Sequence, residues 1–107
     1  MPTGLLLAIA IACEVAATLS LRYSDGFSRP LPSALVVVGY VISFWLLALV
    51  LRDLSIGTTY AIWAGAGTAA LALIGIVALG EPATAVKLAS IGLIIAGVIG
   101  LNLSGAA

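Results

Sequence analysis

Four apolar stretches, separated by short clusters of charge, decide most of what this chain can fold into. Charged residues fall at Arg22, Asp25 and Arg29, at Arg52 and Asp53, and at Glu81 and Lys87, with Glu14 the one exception inside an apolar run. The intervals Thr3 to Leu21, Ser33 to Leu51, Gly57 to Leu79 and Ala85 to Ser104 would each measure about 28 to 35 Å as helix, the thickness of a bilayer's hydrocarbon core. Hydrocarbon offers the backbone no hydrogen-bond partner, so a span must be a helix or part of a closed barrel. The alternating pattern of barrel strands is missing here. The predicted fold is therefore all-α: an integral membrane, four-helix up-down bundle, one domain over residues 1–107, with short loops holding sequential helices antiparallel. The first run has no basic residue before it and carries a carboxylate in its middle, so it reads as a retained span rather than a cleaved signal.

Composition removes several function classes. Charged residues make up 7% of the chain, against about 25% in soluble domains. With zero net charge and no basic stripe, no nucleic-acid partner is expected. Cys13 is the sole cysteine and histidine is absent, so no intramolecular disulfide, no metal site and no cofactor are expected, and the thiol should be buried and unreactive. An enzyme would need more polar groups converging on Glu14 than the chain offers, so none is expected.

The loops follow turn chemistry. Asp25-Gly26 signals a turn, and Pro30 and Pro32 should delay the second helix, with Pro32 at its start. Tyr23 and Phe27 fit anchors at headgroup depth. Glu81 precedes the fourth helix, where a carboxylate favours the positive end of the dipole. Four crossings place Arg22, Arg29 and Lys87 on one side of the membrane and Arg52 on the other. That bias is weak, leaning towards loops one and three in the cytoplasm and permitting insertion in both orientations.

Glu14 is the candidate functional centre. A charge at mid-bilayer costs about 2.5 to 3.5 kcal/mol on insertion scales, and such a residue is retained for ion handling or as hydrogen-bonded packing glue; both readings stay open at this point. Helical spacing puts Leu7, Ala10, Ala17 and Thr18 on its face. Helix two brings Tyr40 and Ser43 to membrane depth with Phe44 beside them, and helix three brings Tyr60 and Trp63. A carboxylate near several aromatic faces suits a desolvated organic cation, each cation–π contact adding about 0.5 to 2 kcal/mol. Gly65 and Gly67 are candidate hinge points or packing glycines. Helix four carries small-residue rows, including Ser90 and Gly97, that suit self-association.

Glu14-Val15, the loop from Tyr23 to Arg29, Ser43-Phe-Trp-Leu-Leu-Ala48 and Gly57-Thr-Thr-Tyr-Ala-Ile-Trp-Ala-Gly65 occur in an order and spacing that resembles the small multidrug resistance family over essentially the whole chain. The resemblance implies an exporter of the bacterial inner membrane, an antiparallel dual-topology homodimer that exchanges protons for small organic cations. It also implies that Glu14 binds proton and substrate in turn, that Tyr40, Ser43, Tyr60 and Trp63 line the pocket, and that a helix-four segment including Ser90, Leu93, Ile94, Gly97 and Val98 holds the dimer, with Ser90 in place of a usual glycine. One branch of the family exports guanidinium compounds selectively; it has a tryptophan where this chain has Ala17 and a lysine where it has Asn102. The branch exporting bulky quaternary ammonium cations is therefore favoured, although Leu79-Gly-Glu81 and Leu88-Ala-Ser90 are similar to the guanidinium branch. The alternatives are a guanidinium exporter, one partner of a heterodimer, or a membrane assembly subunit that transports nothing.

Overall fold

The computed structural model describes residues 2–104. Among them the chain forms four helices, α1 (Thr3–Tyr23), α2 (Pro30–Val50), α3 (Ile56–Ala78) and α4 (Ala85–Leu103), and no strand. All four are long and apolar enough to cross a membrane, as the spacing of charges predicts. Helices α1 and α2, up to Asp53, make one compact unit, and α3 and α4, from Leu54, make another.

Two helix boundaries move from their predicted places. Helix α1 runs two residues further, to Tyr23, carrying Arg22 in its last turn, where a cation meets the negative end of the dipole. Helix α2 begins at Pro30 rather than Ser33. The prolines were expected to delay it, but the first turn of a helix has no intrahelical acceptor for its N–H groups, so both prolines fit inside that turn.

Between α1 and α2 the chain reverses through Asp25, Gly26 and Phe27, with φ of 49°, 68° and 65°. Left-handed backbone is costly for a bulky residue such as Phe27, and Ser24 supplies what holds it. This buried serine donates its hydroxyl to the Leu21 carbonyl (2.7 Å) and accepts from the Phe27 N–H (3.1 Å). Its carbonyl accepts from the Ser28 and Arg29 N–H groups (2.9 and 3.1 Å).

The first unit is an antiparallel hairpin packed on small residues. Its contacts pair rising positions in α1 with falling positions in α2 and the turn after it: Thr3 with Asp53, Ala10 with Ser43, Ala17 with Gly39. At Gly39 the helices touch so closely that an added Cβ would lie 2.8 Å from the Ala17 Cβ and 3.3 Å from the Cys13 carbonyl oxygen. Cys13 is half-buried rather than enclosed. The Thr3 hydroxyl donates to Asp53 (3.1 Å), which sets a carboxylate at the positive N-terminus of α1.

In the second unit α3 meets α4 at Gly65, where an added Cβ would lie 2.7 Å from Val98 Cγ2 and 3.7 Å from Ile94 Cγ2. Gly80, with φ of 69°, turns the chain out of α3. The expected pairing of Glu81 with the α4 dipole gives way to a different arrangement. Thr84 caps α4 by accepting the Lys87 N–H (3.1 Å), and the Glu81 carboxylate folds over Gly75 and pairs with Lys87 Nζ at 3.3 Å.

The Gly39 contact yields a direct test. Gly39→Val should destabilise the protein by about 1 to 3 kcal/mol through overpacking. Gly57→Ala, where an added Cβ meets nothing within 4 Å, should stay within about 0.5 kcal/mol of the parent. Unfolding in mixed detergent micelles, followed by helicity, measures both.

Candidate functional site

On α1, Glu14 stands two turns beyond Leu7, one turn beyond Ala10 and one turn before Thr18. The side chains around it divide by task. Leu7, Ala10 and Ala17 are buried, so most of the small-residue face serves packing. Thr18 is the partner of the carboxylate: its Oγ1 donates to Glu14 Oε1 at 3.0 Å. The same Thr18 oxygen lies 2.6 Å from the Tyr40 hydroxyl. Threonine has one hydroxyl proton. While that proton is given to Glu14, Thr18 is left as an acceptor, and Tyr40 must be the donor. The result is a directed chain of hydroxyls from Tyr40 through Thr18 to Glu14.

Tyr40 therefore reaches the carboxylate through an intermediary. Ser43 is fully buried and donates to the Ala10 carbonyl at 2.8 Å. Phe44 is more than half exposed, its ring 6.2 Å from that of Tyr40 and tilted by 30°. In α3, Tyr60 is exposed and Trp63 buried, the rings edge-on at 5.5 Å and 79°. Such edge-to-face pairs fix each other's orientation and leave the Tyr60 face and hydroxyl open.

Glu14 is only partly buried, and no basic side chain of the described residues pairs with it; the one ion pair among them is Lys87 with Glu81. An intramembrane carboxylate held by a hydroxyl donor and without a basic partner has the chemistry to accept a proton or an external cation.

The two hinge candidates sit within the unbroken helix α3. Gly65 is pressed against Val98 and Ile94, and Gly67 is buried. Of the five positions tied to dimer contact, Ile94 and Val98 thus turn partly to α3 of their own chain, while Ser90, Leu93 and Gly97 are exposed. Ser90 bonds back to the Val86 carbonyl at 2.7 Å.

Two residues escape the sequence reading. Gly39 had a signal in its spacing to Ser43, a small-x-x-x-small pair typical of close helix contacts. Thr59 is fully buried with its hydroxyl lacking a hydrogen-bond partner. Helical threonines commonly bond back to the preceding turn, so its sequence position alone carries no such signal, beyond lying one turn from Trp63 on the same face.

The hydroxyl chain can be tested spectroscopically. Thr18→Val should shift the Glu14 carboxylate stretching band in infrared difference spectra, and Tyr40→Phe should shift it less, because its effect passes through Thr18. Ser43→Ala should leave the band in place and cost about 0.6 to 1.7 kcal/mol of stability, the range for hydrogen bonds between membrane helices.

Comparison with known proteins places the chain in a family. The model of the family described as Small Multidrug Resistance protein matches residues 3–94. A multidrug transporter of Pseudomonas aeruginosa is 50% identical over 103 residues, covering 96% of this chain and 94% of that protein. Guanidinium exporters of Escherichia coli and Salmonella typhimurium are 45% and 46% identical over 100 residues, covering 94% of this chain and 95% of each. Over nearly its whole length, this chain belongs to the small multidrug resistance family, whose members are multi-pass membrane transporters and not enzymes.

Proposed function

We propose that the protein exports hydrophobic and quaternary ammonium cations from a bacterium across its inner membrane in exchange for protons. Glu14 carries both ligands in turn. The observation that bears this reading is the state of the carboxylate, which sits at mid-helix with a hydroxyl donor and no basic partner among the described residues. A group in that position gains most from a ligand that brings the missing positive charge. Because proton and cation neutralise the same oxygens, binding of one displaces the other, and that competition is the coupling between them. No nucleotide site is required.

The working unit is an antiparallel homodimer in which the Glu14 residues of two subunits form one shared site. The exposed Ser90, Leu93 and Gly97 of α4 offer a face for a second copy, and the near balance of loop charges permits insertion in both orientations. A chain this short has no internal inverted repeat, and an inverted partner supplies the two matching access states. Tyr60 and Trp63 supply aromatic faces, Phe44 extends the wall, and bending at Gly65 and Gly67 exchanges the open side.

The bulky-cation reading also has local support. At position 17 the guanidinium-selective branch has a tryptophan, but here the helix spacing at Gly39 leaves room for little more than a methyl group. The donor to the carboxylate is Thr18 instead. A second reading, selective guanidinium export, is favoured by the names of the Escherichia coli and Salmonella typhimurium relatives.

Transport into liposomes driven by a pH gradient separates these readings. Tetraphenylphosphonium and a quaternary ammonium cation should move at least about tenfold faster than guanidinium, roughly the discrimination that pocket fit alone supplies; the reverse order assigns the guanidinium function. Glu14→Gln should retain full helicity and transport neither. Loss of folding in that variant would mark Glu14 as packing glue.

A further inference from the structure

A polar concavity lies at the end of the first hairpin, away from the carboxylate. Arg22, Tyr23, Asp25 and Arg29 line an open cavity of about 490 Å³. Neither guanidinium has an ion-pair or side-chain hydrogen-bond partner among the described residues. Along the same hairpin runs an apolar groove of about 250 Å³, walled by Cys13, Ala16 and Ser20 of α1 and by Leu35, Val38 and Gly39 of α2. Cys13, Ala16, Ser20 and Tyr23 follow one another at helical spacings of three and four, on one face of α1. Tyr23, a wall of the cavity, thus stands one turn beyond Ser20, a wall of the groove.

We infer that cavity and groove together bind one anionic glycerophospholipid, its phosphate between Arg22 and Arg29 and one acyl chain along the groove. The order of the two chemistries matches a lipid standing in a leaflet, with charge at the helix ends and apolar surface below them. The exposed aromatic residues Tyr23 and Phe27 mark this end of the hairpin as headgroup depth. Two guanidinium groups and the Asp25 carboxylate leave one net positive charge, which complements a singly negative headgroup. A guanidinium presents a planar fork to phosphate oxygens. Asp25 suits the hydroxyl groups of phosphatidylglycerol, which donate hydrogen bonds. The trimethylammonium of phosphatidylcholine has no hydrogen to donate and lies unfavourably beside two arginines.

Native mass spectrometry of the purified full chain in detergent, titrated with phosphatidylglycerol or with phosphatidylcholine of identical acyl chains, tests this. The wild-type protein should retain phosphatidylglycerol about fivefold more strongly, the effect of one net basic charge at a membrane surface. R22Q/R29Q should abolish the preference, and R22K/R29K should keep most of it. Ala16→Phe, which fills the groove, should weaken retention of both lipids. Equal retention of the two lipids by the wild type, or an undiminished preference in R22Q/R29Q, would overturn the proposal. Displacement of phosphatidylglycerol by millimolar inorganic phosphate would overturn it too, by showing a site for free anions.

Discussion

A carboxylate in hydrocarbon has to be stabilised by something, and in this protein the described residues supply hydroxyl groups but no cation. That constraint organises the rest. The basic residues Arg22, Arg29, Arg52 and Lys87 all lie outside the four helical interiors or at their ends, and the one ion pair among the described residues, Lys87 with Glu81, links the end of α3 to the start of α4. Glu14 is left with Thr18, and Thr18 with Tyr40. Hydrogen bonds from neutral hydroxyls orient a carboxylate but bring no compensating charge. A lysine or arginine within reach would have satisfied the carboxylate internally, leaving no role for the exchange proposed above.

Holding that geometry is a packing problem. Tyr40 and Thr18 come within 2.6 Å because the helices that carry them touch at the adjacent residues, Gly39 and Ala17. The Ser43 bond to the Ala10 carbonyl fixes the same pair of helices on the other side of Glu14. Small residues in α1 are therefore not simply empty space beside a site; they set the helix spacing that brings a tyrosine on α2 into contact with the partner of the carboxylate. The α3–α4 contact at Gly65 follows the same rule, with Val98 and Ile94 seated where a larger residue would collide.

Much of this was legible in the residues. Charge clusters fixed the number of spans because a bilayer tolerates charge only at its edges, and Glu14 stood out for the same reason. Thr18 was readable from its i+4 spacing. The start of α2 was not, because proline reads as a helix breaker unless it is known to fall in the first turn, where the missing N–H goes unused. Nor was the division between packing and ligand roles: spacing puts Ala10, Ala17 and Ser43 at the right depth, but only the pairing of α1 with α2 shows them facing each other. Thr59 stayed hidden because a threonine whose hydroxyl bonds to nothing looks, in sequence, like any other.

Competition between a cation and a proton for Glu14 underlies the proposed exchange. Calorimetric titration of the purified protein with tetraphenylphosphonium, repeated in buffers of different ionisation enthalpy, measures the protons released as the cation binds. Wild-type protein should release protons on binding, with the apparent affinity weakening as pH falls, and Glu14→Gln should release none. Cation binding without proton release in the wild type, or undiminished release in Glu14→Gln, would contradict it.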